Sequence, residues 1–268
     1  MGRTTGHETK CDREEMTSET AKRTDELKGS VALVTGGNRG IGLGFVEELL
    51  ERGVTKVYAG VRDPEASRES LAPLGVEIVA LDVTHHDSVR AAASLCRDVT
   101  LLVNNAGFHG RDRLVMAKDP DVAREEMEVN YFGVLNMTRA FAPVLGANGG
   151  GGIINVLSVA GAFPAAFMGG YSPAKAAALF LSTITRAELA LQGTKVCALI
   201  VGSTDTRMSA HYDGPKESPR TVARNGLNSY VRGEYVADTD FMAIDSRARF
   251  ARDPARYDRQ MTRLLDGL

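Results

Sequence analysis

Cysteine is scarce. Cys11, Cys96 and Cys197 are the only three in 268 residues. They are an odd number without metal-ligand spacing, which argues against a disulfide framework and points to a reducing compartment. No apolar run approaches the roughly 20 residues needed to cross a bilayer, so no membrane span is expected. The amino terminus is polar and charged, unlike a secretory leader. A net charge of -2 gives no electrostatic reason to bind nucleic acid or a membrane surface. Hydrophobic residues make up 43% of the chain, enough for a full core in one large α/β domain or two small ones. These bounds predict a soluble cytoplasmic protein.

Residues 1–28, "MGRTTGHETKCDREEMTSETAKRTDELK", lack apolar periodicity and mix both charge signs. Such a segment buries too little surface to offset its ordering entropy, so a mobile tail is expected, with an assembly arm as the alternative. Order is expected from "SVALVTGG", giving a domain over 29–268.

From there short apolar runs alternate with amphipathic stretches. The runs are 31–35, 56–61, 76–81, 100–105, 152–158 and 195–201; helical patterns lie near 41–52, 86–97, 121–145 and 172–191. Continuous apolar strands separated by helices predict a doubly wound parallel sheet, a Rossmann-type α/β fold. No linker interrupts the alternation, so one domain is expected, with ligands at the carboxyl ends of the strands. The glycines of "ANGGGG" (147–152) predict a loop feeding the fifth strand.

"TGGNRGIG" (35–42) follows the first strand and opens a helix. Gly36, Gly40 and Gly42 let the backbone turn tightly and approach a pyrophosphate, which then meets free N–H groups at a helix start. Asn38, Arg39 and Ile41 fall in the same cradle. The second strand ends "YAGVRD", with Gly60 and Val61 where an NAD enzyme places its ribose-binding acid. Arg62 and Arg39 instead offer two guanidinium groups for a 2′-phosphate, which favours NADP(H). Asp63 would restore the acid if the strand ran longer.

Two segments share the spacing Tyr-x-x-x-Lys: "YSPAK" (171–175) and "YDGPK" (212–216). The residues of such a pair face each other only within a helix. The first opens a strongly helical stretch and tolerates Pro173 in its first turn. The second holds Gly214, Pro215 and Pro219, so Tyr212 and Lys216 are expected on a loop. His85-His86 has no third ligand nearby and reads as a surface pair at a helix start; no metal site is expected.

The chain resembles the single-domain short-chain dehydrogenase/reductase family over roughly residues 29–206. The resemblance is carried by "TGGNRGIG" (35–42), Asp82 in "LDV", "NNAG" (104–107), Asn130 in "VNYFG", Ser158 in "VLS", "YSPAK" (171–175) and "VGSTDT" (201–206). It implies that Ser158, Tyr171 and Lys175 form the catalytic trio, with Asn130 placing a proton-relay water. It further implies that Asp82 and Val83 hold adenine and that "NNAG", with Asn104, Ala106 and Gly107, stiffens the fourth strand beside the adenosine. Lys175 would grip the nicotinamide ribose, with Gly202, Thr204 and Thr206 toward the nicotinamide. Lys175 and the nicotinamide charge are expected to lower the pKa of Tyr171, a phenol otherwise near ~10. Dimers or tetramers through the long helices are implied as well. The chain departs from the family at Val201, where proline is usual. It departs again at "FMAID" (241–245), which stands in for an aspartate-glycine-glycine ending on the last strand.

Loops after strands four to six carry Phe108, His109, Phe163, Phe167, Met168, Met208, His211 and Tyr212, with a substrate loop near 207–220. About half of this set is expected to be packing. The remainder, with His109, Phe163, Phe167, Met208 and His211 as candidates, favours an apolar or aromatic carbonyl compound. The reading is an NADPH-dependent reductase of ketones or aldehydes, or the reverse. The alternatives are a non-redox enzyme of the same fold retaining NADP(H), and a nucleotide sensor, which would not need the trio.

Overall fold

The computed structural model describes residues 27–267. The chain runs through β1 (Val31–Thr35), α1 (Gly40–Glu51), β2 (Lys56–Val61), the short α2 (Arg68–Leu71) and β3 (Glu77–Ala80). It continues with α3 (His86–Leu95), β4 (Leu101–Asn104), α4 (Val122–Met127), α5 (Gly133–Ala147) and β5 (Gly152–Val156). Next come α6 (Val159–Ala162), α7 (Tyr171–Glu188) and β6 (Lys195–Ile200). The carboxyl-terminal part is α8 (Pro219–Val231), β7 (Val236–Asp238), α9 (Phe241–Arg252) and α10 (Pro254–Arg263).

All strands are parallel, in the order β3-β2-β1-β4-β5-β6-β7. Chain direction across the sheet reverses at β1, so β1 and β4 are neighbours whose connections leave toward opposite edges. The crevice above their carboxyl ends is the natural ligand position in such sheets.

Alternate side chains of each strand enter opposite layers. Ala32 and Val34 pack with Phe45 and Leu49 of α1 and Val222 and Leu227 of α8. Leu33, Leu102 and Ile153 pack with Met137, Phe141 and Leu145 of α5. Cys96 and Cys197 are buried free thiols within these layers; Cys11 lies outside the described residues.

The structure corrects the expected tail at its inner boundary. Leu27 is 2% exposed and packs into the core, and its carbonyl accepts the Ser30 N–H at 3.1 Å. The expectation for residues 1–26 lies outside the described residues.

The last strand also differs from the reading. "FMAID" is not a strand but the start of α9, because Asp240 accepts the Ala243 N–H at 3.0 Å and caps the helix. β7 lies just before it. α8 and α10 were not anticipated, although each has Pro at its first position and a capping Ser218 or Asp253 before it. The "YDGPK" segment is irregular, with the Tyr212 ring folded against Gly214.

Candidate active site

The glycine loop sits over the β1–β4 crevice. Gly36 has φ +65° and Gly40 φ +53°, both left-handed. A side chain on Gly42 would collide with the Gly36 carbonyl. The Gly36 N–H donates to the Gly60 carbonyl at 2.8 Å, which fixes the loop to the end of β2. Thr35 Oγ1 accepts the N–H groups of Asn105 and Ala106, both at 2.9 Å. Asn105 Nδ2 returns a bond to the Thr35 carbonyl at 2.9 Å. The start of α1 has no side-chain cap and no acid in its first turn. Its bare N–H groups suit a phosphate.

The end of β2 fits a 2′-phosphate better than a bare ribose. Arg39 and Arg62 are exposed, and neither engages a carboxylate among the described residues. Asp63 is committed elsewhere, its Oδ1 accepting the Ala66 N–H at 3.0 Å. Asn38 Nδ2 donates to Ser67 Oγ at 2.9 Å, so this side chain braces the two loops rather than facing a ligand. Asp82 Oδ1 accepts from the Thr84 N–H at 2.9 Å and from its hydroxyl at 2.7 Å. Burial opposes the charge on Asp82, but these bonds and the His85 ring outweigh it and hold the carboxyl below its usual range. Val83 is buried beside Gly133, and its carbonyl accepts from Asn136 at 3.1 Å.

The side chain of Asn104 turns into the sheet. Its Nδ2 donates to Asn155 Oδ1 at 2.8 Å, and Asn155 donates to Ser182 Oγ at 2.8 Å. The side chain therefore ties β4 to β5 and α7, and Asn105 is the asparagine that holds the glycine loop. Ala106 and Gly107 line the turn beside it.

Ser158, Tyr171 and Lys175 lie together beyond β5. All three are buried, at 8%, 7% and 3% exposure. Ser158 caps α6 by accepting the Ala160 N–H, and its hydroxyl bonds the Tyr171 side chain. Lys175 Nζ donates to the Val156 carbonyl at 3.0 Å and lies 5.6 Å from the centre of the Tyr171 ring. Burial pushes the Tyr171 phenol up to about 12, against the Ser158 bond, with Glu126 adding to the rise. The expected lowering by Lys175 is thus absent from the protein alone, because burial dominates and Lys175 is itself pushed down to about 8 by burial.

Asn130 sits on a π-helical turn (Glu128–Phe132) between α4 and α5, a distortion that re-aims side chains at functional sites. It is fully buried; Nδ2 donates to the carbonyls of Phe108 at 2.7 Å and Glu126 at 2.8 Å. A side chain on Gly107 would come 3.1 Å from Asn130 Oδ1 and 3.7 Å from Lys175 Nζ, so glycine leaves room between these two groups.

The loop after β6 closes the far side. Thr206 packs against Gly40 of the glycine loop and caps a 3₁₀ turn, Arg207–Ser209. Thr204 Oγ1 is buried without a bond among the described residues. The Gly202 N–H donates to Asp240 Oδ2 at 2.8 Å.

The candidate substrate residues separate. The His109 ring is 5.1 Å from the Tyr171 ring, with Nε2 buried and unbonded. Burial, then the charges of His211 and Arg111, push this imidazole down to about 4. Phe167 packs with Ala160 and Tyr171 at the same mouth. Met208 and His211 are exposed on the closing loop, and Arg111 donates to the Met208 carbonyl at 2.9 Å, clasping the two loops. Phe163 does not line the site. Its ring lies 5.2 Å from Phe250 and 6.1 Å from Tyr257, where it anchors the carboxyl-terminal helices. Glu126, buried beside Tyr171, went unrecognised because a lone acid in an amphipathic segment carries no pattern.

A glycine-cradled crevice beside a buried Ser-Tyr-Lys cluster defines a nucleotide-dependent oxidoreductase of the doubly wound class. The family described as short chain dehydrogenase matches residues 30–216, and the chain belongs to it. A solved short chain dehydrogenase from Burkholderia cenocepacia J2315, in complex with NADP, superposes with TM-score 0.83 at 42% identity. That alignment covers 88% of this chain and 98% of the other. The 3-oxoacyl-(acyl-carrier-protein) reductase FabG of Vibrio harveyi is 33% identical over 189 residues, 68% of this chain and 77% of FabG. Short chain dehydrogenase tazN of Aspergillus terreus is 34% identical over 209 residues. That match takes in 72% of this chain but only 44% of tazN. No helix among the described residues is long and apolar enough to cross a membrane.

Proposed function

We propose that the protein is an NADP(H)-dependent reductase that converts a ketone or aldehyde to an alcohol, or runs the reverse. The observation that carries this reading is the burial of Ser158, Tyr171 and Lys175 together, with Lys175 Nζ 5.6 Å from the phenol ring. Two exposed arginines, Arg39 in the glycine loop and Arg62 at the end of β2, and a similar enzyme crystallised with NADP support the choice of dinucleotide. When bound, that cofactor supplies the hydride.

The chain's own residues supply the proton and the charge stabilisation. Burial holds the proton on Tyr171 Oη, so the group is poised as a general acid toward a carbonyl oxygen. Ser158 Oγ–H, fixed at the start of α6, donates to the same oxygen as negative charge grows there. Lys175 exchanges protons near neutral pH because burial brings it to about 8. His109 and Phe167 at the mouth favour an apolar or aromatic group next to the carbonyl.

Phe180 and Ile184, one turn apart on α7, are 73% and 55% exposed, and support a homodimer or homotetramer built on that helix. Buried, unpaired Cys96 and Cys197 suit the reducing cytoplasm. The test is a panel of ketones and aldehydes with NADPH, followed by loss of nicotinamide absorbance. Tight NADPH binding without turnover of any member would sink the reductase reading in favour of a non-redox enzyme.

A further inference from the structure

Glu126 on α4 is 1% exposed and touches three parts of the site. Oε1 accepts the Gly110 N–H at 2.9 Å, holding the loop that carries His109 and Arg111. Its main-chain carbonyl accepts from Asn130 at 2.8 Å. Oε2 is sealed from solvent without a bond and faces the first turn of α7, where the Gly170 and Tyr171 N–H groups attract it. A side chain on Gly170 would come within 2.6 Å of that oxygen, so glycine makes room for the carboxylate. A half-bonded buried acid opposes folding, and an apolar residue would fill the same volume without that cost.

The groups around Tyr171 are Ser158, Lys175, His109 and Glu126. Glu126 is the one acid among them. Asp112, on the neighbouring loop, is the charged group acting on Glu126 itself; burial first, then Asp112, raise its carboxyl above the usual range against the Gly110 bond. The positive end of the 18-residue α7 favours the ionised form in return.

We propose that Glu126 is a positioning residue that locks the Gly110 loop to the first turn of the catalytic helix and whose negative charge adds to burial in favouring the protonated Tyr171. Its effect on catalysis rests on Tyr171 acting as the acid; the geometry does not. The lock sets where His109 and Arg111 stand relative to the phenol, and the charge biases the site toward proton donation.

Both parts are testable without substrate or cofactor. In the full chain labelled at tyrosine Cζ, comparison with Tyr171→Phe assigns the Tyr171 resonance. In the wild type that resonance should hold its protonated position close to the alkaline limit of the fold. In Glu126→Gln it should begin to move at lower pH, and Glu126→Asp, which restores the charge, should bring it back toward wild type. Glu126→Leu should speed amide exchange at Gly110 at least about tenfold relative to core strands. If Glu126→Leu fails to fold, Gly110 exchange in the near-isosteric Glu126→Gln is read instead, with faster exchange expected. A Glu126→Gln resonance tracking wild type over the whole range overturns the charge effect, and unchanged Gly110 exchange overturns the lock. Absence of ketone turnover by the wild type would instead strike the proposed function and leave these results standing.

Discussion

Lys175 Nζ donates to the Val156 carbonyl at 3.0 Å while standing 5.6 Å from the centre of the Tyr171 ring. The ammonium is therefore anchored to the end of β5 and held one turn along α7 from the phenol. Tyr171→Phe keeps the ring in its buried place and removes the proton. Steady-state turnover should fall about 10²–10⁴-fold, with melting temperature and NADPH affinity retained. Tyr212→Phe, on the irregular segment before α8, should leave turnover within about twofold. A Tyr171→Phe enzyme as active as wild type would place the acid elsewhere.

Arg62→Asp puts a carboxylate where an exposed, uncommitted guanidinium stands. Fluorescence titration should show NADPH affinity falling by about tenfold or more, while NADH affinity holds or rises. Arg39→Ala should produce part of the same loss. Equal affinity of the wild type for both nucleotides would remove the basis for this assignment.

His109 binds protons far less readily in the folded chain, at about 4, than an unfolded histidine near 6.5. As pH falls from 6.5 toward 4 the unfolded chain takes up a proton that the native site refuses, so folding stability declines across that window. Above about 6.5 the imidazole is neutral in both states and the penalty vanishes. His109→Gln should flatten the fall in denaturation midpoint between pH 6.5 and 4, and an unchanged slope would count against the buried neutral ring.

Truncation tests the inner boundary of the domain. A chain beginning at Leu27 is expected to keep its melting temperature and NADPH affinity. One beginning at Gly29 loses a leucine that is 2% exposed, worth about 1.5–3 kcal/mol of burial, and should melt measurably lower. Identical melting of the two truncations would show that the Leu27 contact contributes nothing.

Phe180→Glu with Ile184→Glu places two charges on the exposed face of α7 without entering the core. Light scattering at micromolar concentration should show a homo-oligomer for wild type and a smaller species for the double variant. A wild-type monomer would refute the assembly.

Most of the sheet was legible because buried parallel strands read as unbroken apolar runs, and β1, β2 and the start of α1 fall within a residue of expectation. The site was legible where a residue's chemistry requires a fixed neighbour, as with Gly42 against Gly36 or Tyr171 one turn from Lys175. It was not legible where role depends on packing direction. Asn104 and Asn105 are adjacent and identical, yet one turns into the sheet and the other to the glycine loop. Phe163 stands after the same strand as Ser158 but faces Phe250, a residue that no local pattern could pair with it. Glu126 escaped for the same reason, since its partners come from loops 16 and 44 positions away. Hydrogen-bond chemistry did leave a trace in the carboxyl-terminal part. Ser218-Pro219 and Asp253-Pro254 are helix-start signatures that mark α8 and α10.

Asp240 uses one oxygen to cap α9 and the other to hold the Gly202 N–H after β6. It is a seam between two parts with separate duties. On one side, β1 to β6 carry every group assigned to proton transfer and phosphate binding. On the other, α9 and α10 contribute no such group: they pack on Phe163 away from the site, meet the 166–168 turn that carries Phe167, and back Gly202 through Met242. Exchanging residues 241–267 for a different segment, with Asp240 kept, therefore offers a route to new molecular preferences on an unaltered catalytic chassis.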